Sequence, residues 1–397
     1  MRRLAVRDLS EGMTLARAVV GDRGELLLNA DVPLSERYIK MLRDRKVGAV
    51  FIHDADTDDV ELEDIVSERV RVTITVNVCR VFEAMERAVK SVGGQLSAPD
   101  FARSARDHGS YHELQRDITE LVDEVLAADV LTGMNTLRSF DNYQFLHALD
   151  STVTAVMLGR RLHLHHDDLA RIASGCLLHD IGMVALDTAV LNKRERLSTD
   201  ERDHIRVHPQ IGYDMLRKLR PSEVIANHVA YQHHERQDGT GYPRGLHGHN
   251  RIQRTPLERG ATGRVLLDAE IVAVADVYDA LGSDRPYRAA LPPDQVVRML
   301  RRLAGGQLNR EIVAQLISVL PIYPLGSEVM VVTGRHRQCR GIVARVHKDA
   351  LDRPTVRLLW NAERARVAPV EIDLRATEDV IASVPLTGEA GAPVTPL

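Results

Sequence analysis

The sequence predicts a mainly α protein: an all-helical bundle flanked by a small N-terminal α+β module and a small C-terminal β module. Three observations carry that expectation. From about residue 136 to 320, apolar residues recur at helical spacing in segment after segment, with no alternating strand pattern among them. Before residue 60, short apolar runs bracket a single helical segment. After Pro321 the texture changes to β-branched runs separated by turn residues.

The elements follow in order. In 1–60, Glu25–Leu28 and Val47–Ile52 read as strands, and Leu34–Leu42 as a helix with Pro33 near its start. In 61–135, the charged stretch Val60–Val92 reads as an amphipathic helical connector. Gly93 and Gly94 end it, Ser97–Gly109 reads as a loop, and Glu113–Leu131 is helical again. Within 136–320, Ser198-Thr199-Asp200-Glu201 is a capping-box signature, while Pro221 and Pro292-Pro293-Asp294 mark two further helix starts. In 321–397, Val329–Val332, Gly341–Val346 and Thr355–Leu359 read as antiparallel strands. The Gly-, Ala- and Pro-rich tail beyond about Leu386 reads as loose.

Composition narrows the function. The 397 residues suffice for two or three domains, and 44% hydrophobic content excludes wholesale disorder. A net charge of −4 argues against a dedicated nucleic-acid binder. Cys79, Cys176 and Cys339 are too scattered for a disulfide framework or a thiolate zinc site. No apolar run approaches the ~20 residues of a membrane span, and the start Met1-Arg2-Arg3-Leu4-Ala5-Val6-Arg7-Asp8 does not read as a signal peptide. The expected compartment is the cytoplasm.

Of 17 histidines, 12 fall between His147 and His249. Three His-Asp pairs occur. His53-Asp54 reads as a turn after a strand, and His166-Asp167 sits in the polar link Leu162–Asp168, where an Asp is expected to cap the next helix. His179-Asp180 differs, because it closes the apolar helix Leu169–Leu178, where burying both groups is costly unless they are paired or bound to a metal. His208, the pair His233-His234 and Asp276 lie on separate expected helices, and His147 opens another, the way bundles build metal sites from facing helices. Five histidines and two aspartates exceed the four ligands of one tetrahedral zinc. The set suggests two metal ions sharing a bridging carboxylate, with iron or manganese favoured by imidazole and carboxylate donors. His163, His165, His166, His204, His228, His247 and His249 read as surface, helix or loop residues.

The strings His179-Asp180-Ile181-Gly182, His208-Pro209, His233-His234-Glu235-Arg236-Gln237-Asp238-Gly239-Thr240-Gly241-Tyr242-Pro243, Val274-Ala275-Asp276-Val277-Tyr278-Asp279 and Arg285-Pro286-Tyr287-Arg288 together resemble an HD-GYP domain, over about 141–320. The resemblance implies an HD-type fold and a phosphodiesterase that opens cyclic di-GMP to pGpG or GMP by attack of a bridging hydroxide. It implies one divalent ion on His147, His179, Asp180 and Asp276, and a second on His208, His233 and His234, with Asp180 as the bridge. Arg285 and Arg288 are candidates for a substrate phosphate or guanine edge, with a surface salt bridge as the alternative. Tyr242 is expected to shape a loop at the cleft. The resemblance links the Gly241-Tyr242-Pro243 loop to docking of GGDEF-type cyclases, and a purely structural turn stands beside that reading. A helical connector of this type is associated with homodimers.

Four departures qualify the resemblance. Met183 stands where the family usually has a lysine, and a methionine cannot supply a point charge near a phosphate. Lys193, ten residues on, is not placed near the site by sequence. Tyr143 replaces a glutamate that permits a third metal in some members. Glu270 replaces a usual arginine six residues before Asp276. The basic segment 249–262 is extra, and reads as a disordered surface insertion, with a lid or anion-binding loop as the alternative. Beside the active enzyme stand two other readings: a catalytically weak metal- and dinucleotide-binding scaffold, and another phosphohydrolase of the wider HD superfamily.

Overall fold

Serine hydroxyls set where several helices begin. The computed structural model describes residues 1–21, 25–45, 47–60, 64–94, 101, 110–128, 144–191, 193, 195, 197–259, 261–283 and 290–384. The Ser97–Gly109 loop apart from Phe101, Tyr143, Arg285, Arg288 and the tail beyond Val384 lie outside the described residues. In the N-terminal module, β1 (Arg2–Ala5) pairs antiparallel with β4 (Ala49–Ile52), in the register Arg2 opposite Ile52, and β2 (Val19–Val20) pairs with β3 (Leu26–Leu28). Between them α1 (Glu36–Asp44) starts at Ser35, whose Oγ accepts from Tyr38 N at 3.3 Å. Leu15, Leu34 and Leu42 close the small core beneath. The turn after β4 carries His53, bonded to Asp31 and Asp58 at 3.0 and 3.3 Å, as the strand-exit reading of His53-Asp54 expects.

The connector is two helices. α2 (Glu68–Ser91) is capped by Ser67, and α3 (Ser110–Ala127) packs against it. Their apolar faces join the core of the bundle: Ile74, Phe82, Leu114 and Leu121 form one cluster with Leu149, Leu169 and Leu177. Burying that stripe is what stabilises such long helices. Arg71 reaches across to the buried Asp150 at 2.8 Å.

The bundle proper follows. It contains α4 (Gln144–Arg161), α5 (His166–Leu177), a 3₁₀ turn over Ile181–Ala185, α6 (Thr188–Leu191), α7 (Thr199–Ile205), α8 (His208–Leu219), α9 (Val224–Gln232), α10 (Pro256–Arg259), α11 (Leu267–Gly282), α12 (Pro293–Leu303) and α13 (Arg310–Ile317). α4 lies between α5 and α11, and α9 packs on α5, α8 and α11. The capping box forms as read: Glu201 N donates to Ser198 Oγ at 3.1 Å, and Ser198 N donates to the Glu201 carboxylate at 2.7 Å. Two starts differ from expectation. Pro221 does not begin a helix; Glu223 N turns back to Arg220 O, and α9 starts three residues after Pro221. Asp167 is not a cap either: α5 starts one residue earlier, after His165, which puts Asp167 and Asp168 in the first turn, facing the helix dipole.

The C-terminal module is an antiparallel sheet in the order β8-β7-β6-β5-β9, from β5 (Glu328–Thr333), β6 (Arg340–His347), β7 (Ala350–Trp360), β8 (Arg366–Asp373) and β9 (Val380–Ser383). The last two strands escaped the sequence reading, because β8 is exposed along most of its length and lacks an alternating pattern. The two small modules touch: Val60 packs on Ile342 and Leu359, and Arg366 pairs with Asp54 and Asp56 at 2.6 and 2.5 Å. Among the described residues no helix is long and apolar enough to cross a membrane.

The segment 249–262 is no disordered insertion. Asn250 N donates to Gln237 Oε1 at 2.8 Å, and Asn250 Oδ1 accepts from Arg310 N at 2.9 Å. Arg254 then drops into the bundle, donating to Val265 O at 2.9 Å and to Glu270 at 2.5 Å, with Asn309 on the same carboxylate at 2.6 Å. The physical reason is charge: burial pushes the Glu270 carboxyl up, Arg254 opposes that, and a buried carboxylate needs such partners. The loop is held because it carries the counter-charge. Arg254→Ala is expected to cost about 3–5 kcal/mol in urea unfolding, since it leaves Glu270 buried and unpaired. Arg254→Met with Glu270→Leu is expected to recover most of that loss. A single variant as stable as the parent would show that the pair contributes little.

Candidate metal centre

Helix ends build the site. α5 runs out at Leu177, and the chain turns through His179 and Asp180 into the 3₁₀ turn. α7 ends at Ile205, and His208 opens α8. α9 ends at Gln232, so His233 is its C-cap and His234 lies just beyond, rather than on the helix as expected. His147 comes from the first turn of α4, and Asp276 from the middle of α11.

At three of these ends an imidazole closes the helix. The Nδ1–H of His179 donates to Cys176 O at 2.6 Å, that of His208 to Ile205 O at 2.8 Å, and that of His233 to Ala230 O at 2.9 Å. Each acceptor is a carbonyl in the last turn of a helix, where no intrahelical donor remains. A carbonyl only accepts, so Nδ1 carries the proton and Nε2 of a neutral ring is left as an acceptor aimed inward. His179, His208 and His233 are 1%, 0% and 2% exposed, so water cannot serve those nitrogens freely.

Around Asp180 the donor atoms converge. Its Oδ1 lies 3.2 Å from His208 Nε2 and 3.7 Å from His233 Nε2, and its Oδ2 lies 3.4 Å from His179 Nε2. His208 Nε2 and His233 Nε2 are 3.2 Å apart. Asp180, His208, His233 and His234 can together hold a metal ion, as can His147, His179 and Asp276; within each group the candidate ligand atoms lie within 4.8 Å of one another. Asp180 touches both groups through His179. Two acceptor nitrogens facing each other beside a carboxylate call for positive charge between them.

The protonation pattern says the same. Burial opposes a charged His179, yet Asp180 overrides it and holds that imidazole well above its usual range. Asp180 is likewise held well below the carboxylate range, because the histidines outweigh burial. Burial, then the neighbouring His233 and His208, push His234 well down. For Asp276 burial is again outweighed, here by His147 at 2.9 Å, and its carboxyl is held down.

The long motif after His234 is scaffold as much as site. The Glu235 carboxylate accepts from Arg244 N and Leu246 N at 2.8 and 2.7 Å, folding the loop back. Asp238 accepts from Thr240 N at 2.9 Å. Gly241 allows the return, since a Cβ there would sit 2.4 Å from Arg236 N. The loop lays Tyr242 on His234, with ring centroids 4.7 Å apart, and burial pushes its phenol up, reinforced by Asp180 and Asp276. Arg206 lies over that ring, 5.3 Å from its centroid.

All seven candidate ligands, His147, His179, Asp180, His208, His233, His234 and Asp276, are brought together, with Tyr242 beside them. Lys193 is not: it is engaged by Glu201 at 2.6 Å. Sequence reasoning missed Asp279, whose Oδ2 holds His147 Nδ1 at 2.5 Å. The signal was available, because Asp279 lies one turn beyond Asp276 on the same helix. It also missed Arg206, for which no pattern points inward.

Residues 132–252 match the family model described as HD domain. Among curated relatives, the cyclic di-GMP phosphodiesterase PA4108 of Pseudomonas aeruginosa is 32% identical over 260 residues, which is 64% of this chain and 58% of that protein. The 3'3'-cGAMP-specific phosphodiesterase 3 of Vibrio cholerae is 31% identical over 178 residues, 45% of this chain and 35% of the relative. The cyclic di-GMP phosphodiesterase response regulator RpfG of Xanthomonas campestris is 35% identical over 164 residues, 41% of this chain and 40% of the relative. Among solved structures, Bd1817, a HDG"Y"P protein from Bdellovibrio bacteriovorus, aligns with a TM-score of 0.45 and 16% identity, covering 80% of this chain and 98% of that one. The chain thus spans less than two thirds of the length of each of these curated relatives. Residues 132–252 thus resemble an HD domain. The His233–Pro243 string is the part of that stretch that resembles the HD-GYP type.

Gly182 is what lets this centre close. A Cβ there would fall 2.1 Å from His208 O and 2.7 Å from Gly212 N, so the 3₁₀ turn and the start of α8 meet backbone to backbone. Gly182→Ala is expected to lose about 1–3 kcal/mol in thermal or urea unfolding. Gly263→Ala, where nothing lies within 4 Å but φ is +79°, separates backbone strain from this close contact. A Gly182 variant of parental stability would refute the close-packing account.

Proposed function

We propose that the chain is a metal-dependent phosphodiesterase that opens cyclic di-GMP, giving pGpG or GMP, in the cytoplasm. One observation carries the reading: Nε2 acceptors of His208 and His233 face each other beside Asp180, 3.2 Å apart, with a second acceptor-rich group on His147, His179 and Asp276. The names of the relatives supply the substrate class.

The donor set fits divalent ions. It is imidazole and carboxylate without thiolate, which suits iron or manganese. Asp276, His147, His179 and Asp180 would hold one ion; His208, His233 and His234 would hold the second, with Asp180 as the bridge and principal catalytic group. Two cations so held would supply charge to offset a phosphodiester and would lower the pKa of a bound water toward neutrality. The protein's own part is positioning. The three helix-end carbonyls fix the imidazole tautomers, Asp279 fixes His147, and Tyr242 closes one side of the pocket. Arg285 and Arg288 are proposed for a second phosphate or a guanine edge.

A binding-only scaffold is the second reading, and Met183 favours it. Half-buried one turn after Asp180, its thioether brings no charge to a phosphate. The Gly241-Tyr242-Pro243 loop, whose Pro243 is exposed, is proposed as the docking point for a GGDEF-type cyclase. The α2–α3 hairpin is proposed as a homodimer surface.

Metal analysis of anaerobically purified protein, with chromatography of products from cyclic di-GMP, tests these readings. Two equivalents of iron or manganese with pGpG appearing is the expected result. Dinucleotide bound but uncleaved, with turnover restored by Met183→Lys, would favour the scaffold. Protein that takes up no metal would sink both. For the positioning role, Asp279→Asn is expected to weaken metal retention about 10–100-fold in chelator competition while leaving the fold intact by circular dichroism. Unchanged retention would remove Asp279 from the account.

A further inference from the structure

A second cavity lies away from the metal centre. It measures about 830 Å³ and is walled by the end of α4, the segment 251–258 and the first turns of α13. His147 stands at the start of α4 and Arg161 at its last residue, so fourteen residues separate the two sites. At 1.5 Å per residue that is about 21 Å along the helix. The cavity therefore does not belong to the centre described above.

Its lining mixes guanidinium and carboxylate groups. Arg161, Arg251 and Arg254 line it, with His163 beside them and Glu258 and Glu311 as the acids. Both acids are already engaged. Glu258 accepts from Thr255 N at 2.9 Å and pairs with Arg251, and Glu311 accepts from Ile252 N at 2.7 Å. Arg254 is 8% exposed; its two terminal nitrogens are used by Val265 and Glu270, while its Nε is buried without a partner. Arg161 is exposed and makes no hydrogen bond or ion pair among the described residues. Arg161 is thus left with all its guanidinium donors and Arg251 with those not on Glu258, and guanidinium donors are the natural partners of phosphate. Leu162 and Ile252 add an apolar wall at the same place. The volume falls in the range of small-molecule sites, roughly 300–1,000 Å³.

We infer that this cavity binds a phosphate monoester of nucleotide size, its phosphate on Arg161 and Arg251 and its ring against Leu162 and Ile252. The site is built by the segment 249–262, which accounts for the basic character of that loop beyond Arg254. The inference does not rest on the phosphodiesterase reading.

The test is equilibrium binding to the full-length protein, by calorimetry, with GMP and inorganic phosphate as the probes and guanosine as the uncharged control. Saturable binding of GMP, competed by inorganic phosphate and absent for guanosine, is expected. Arg161→Glu is expected to weaken it by about tenfold or more, the effect of losing one charge-assisted contact. Arg251→Ala is expected to weaken it independently, and His147→Ala to leave it unchanged. Circular dichroism checks that each variant is folded; Arg161 makes no contact that folding needs. Binding lost with His147→Ala and kept in Arg161→Glu would place the ligand at the metal centre and overturn the inference. No saturable binding of GMP at millimolar concentration would overturn it as well.

Discussion

Three helices end on carbonyls that no intrahelical donor reaches, and three imidazoles donate to them. That arrangement is the constraint from which the rest of the centre follows. A helix leaves its last carbonyls without intrahelical donors, and water cannot serve them in a buried interior. His179, His208 and His233 supply the donor from Nδ1. Doing so leaves each Nε2 as an acceptor aimed at the same small volume. The backbone thus chooses the tautomer, and the tautomer makes the pocket acceptor-rich. Asp180 and Asp276 deepen that imbalance, which is why His179 is driven to hold a proton and both aspartates are held ionised.

Close approach of the helix ends is then a steric matter. Gly182 and Gly212 meet where the 3₁₀ turn crosses the start of α8. A methyl group at 182 would push His208 away from Asp180, whose separation is 3.2 Å. Behind the ends, the long apolar cluster shared by α2, α3, α4, α5 and α11 holds the helix axes in place. Burial energy in that cluster, not the polar contacts, offsets the desolvation of seven polar ligands.

The sequence made much of this legible, and for identifiable reasons. Helical periodicity placed the bundle, since a half-buried helix must repeat its apolar face. Ser198 and Glu201 announced α7 because a capping box is a local device, complete within four residues. The seven candidate ligands stood out through residue type, as buried His and Asp are costly without partners. What escaped depends on contacts distant in the chain. The carbonyls of Cys176, Ile205 and Ala230 have no side-chain signature. Arg206 stacks on Tyr242 across thirty-six positions, and nothing in its own neighbourhood predicts that. Segment 249–262 looked loose because it is polar and rich in turn residues. Its anchors are Gln237, Arg310 and Glu270, none of them nearby in sequence.

Two departures from the family pattern therefore differ in kind. Glu270, in place of an arginine, is answered inside the chain: a guanidinium arrives from the loop as Arg254 and pairs with it in the interior. The loop and the substitution explain each other, and neither bears on the metal centre. Met183 has no such answer on its own turn. Its backbone N–H closes on Asp180 O at 2.9 Å, but its side chain adds no charge. Arg206, held over the face of Tyr242, is paired with Asp203 at 3.4 Å. A buried carboxylate forces a partner to arrive from elsewhere in the chain, whereas a thioether forces nothing, which is why the first departure is answered and the second is not.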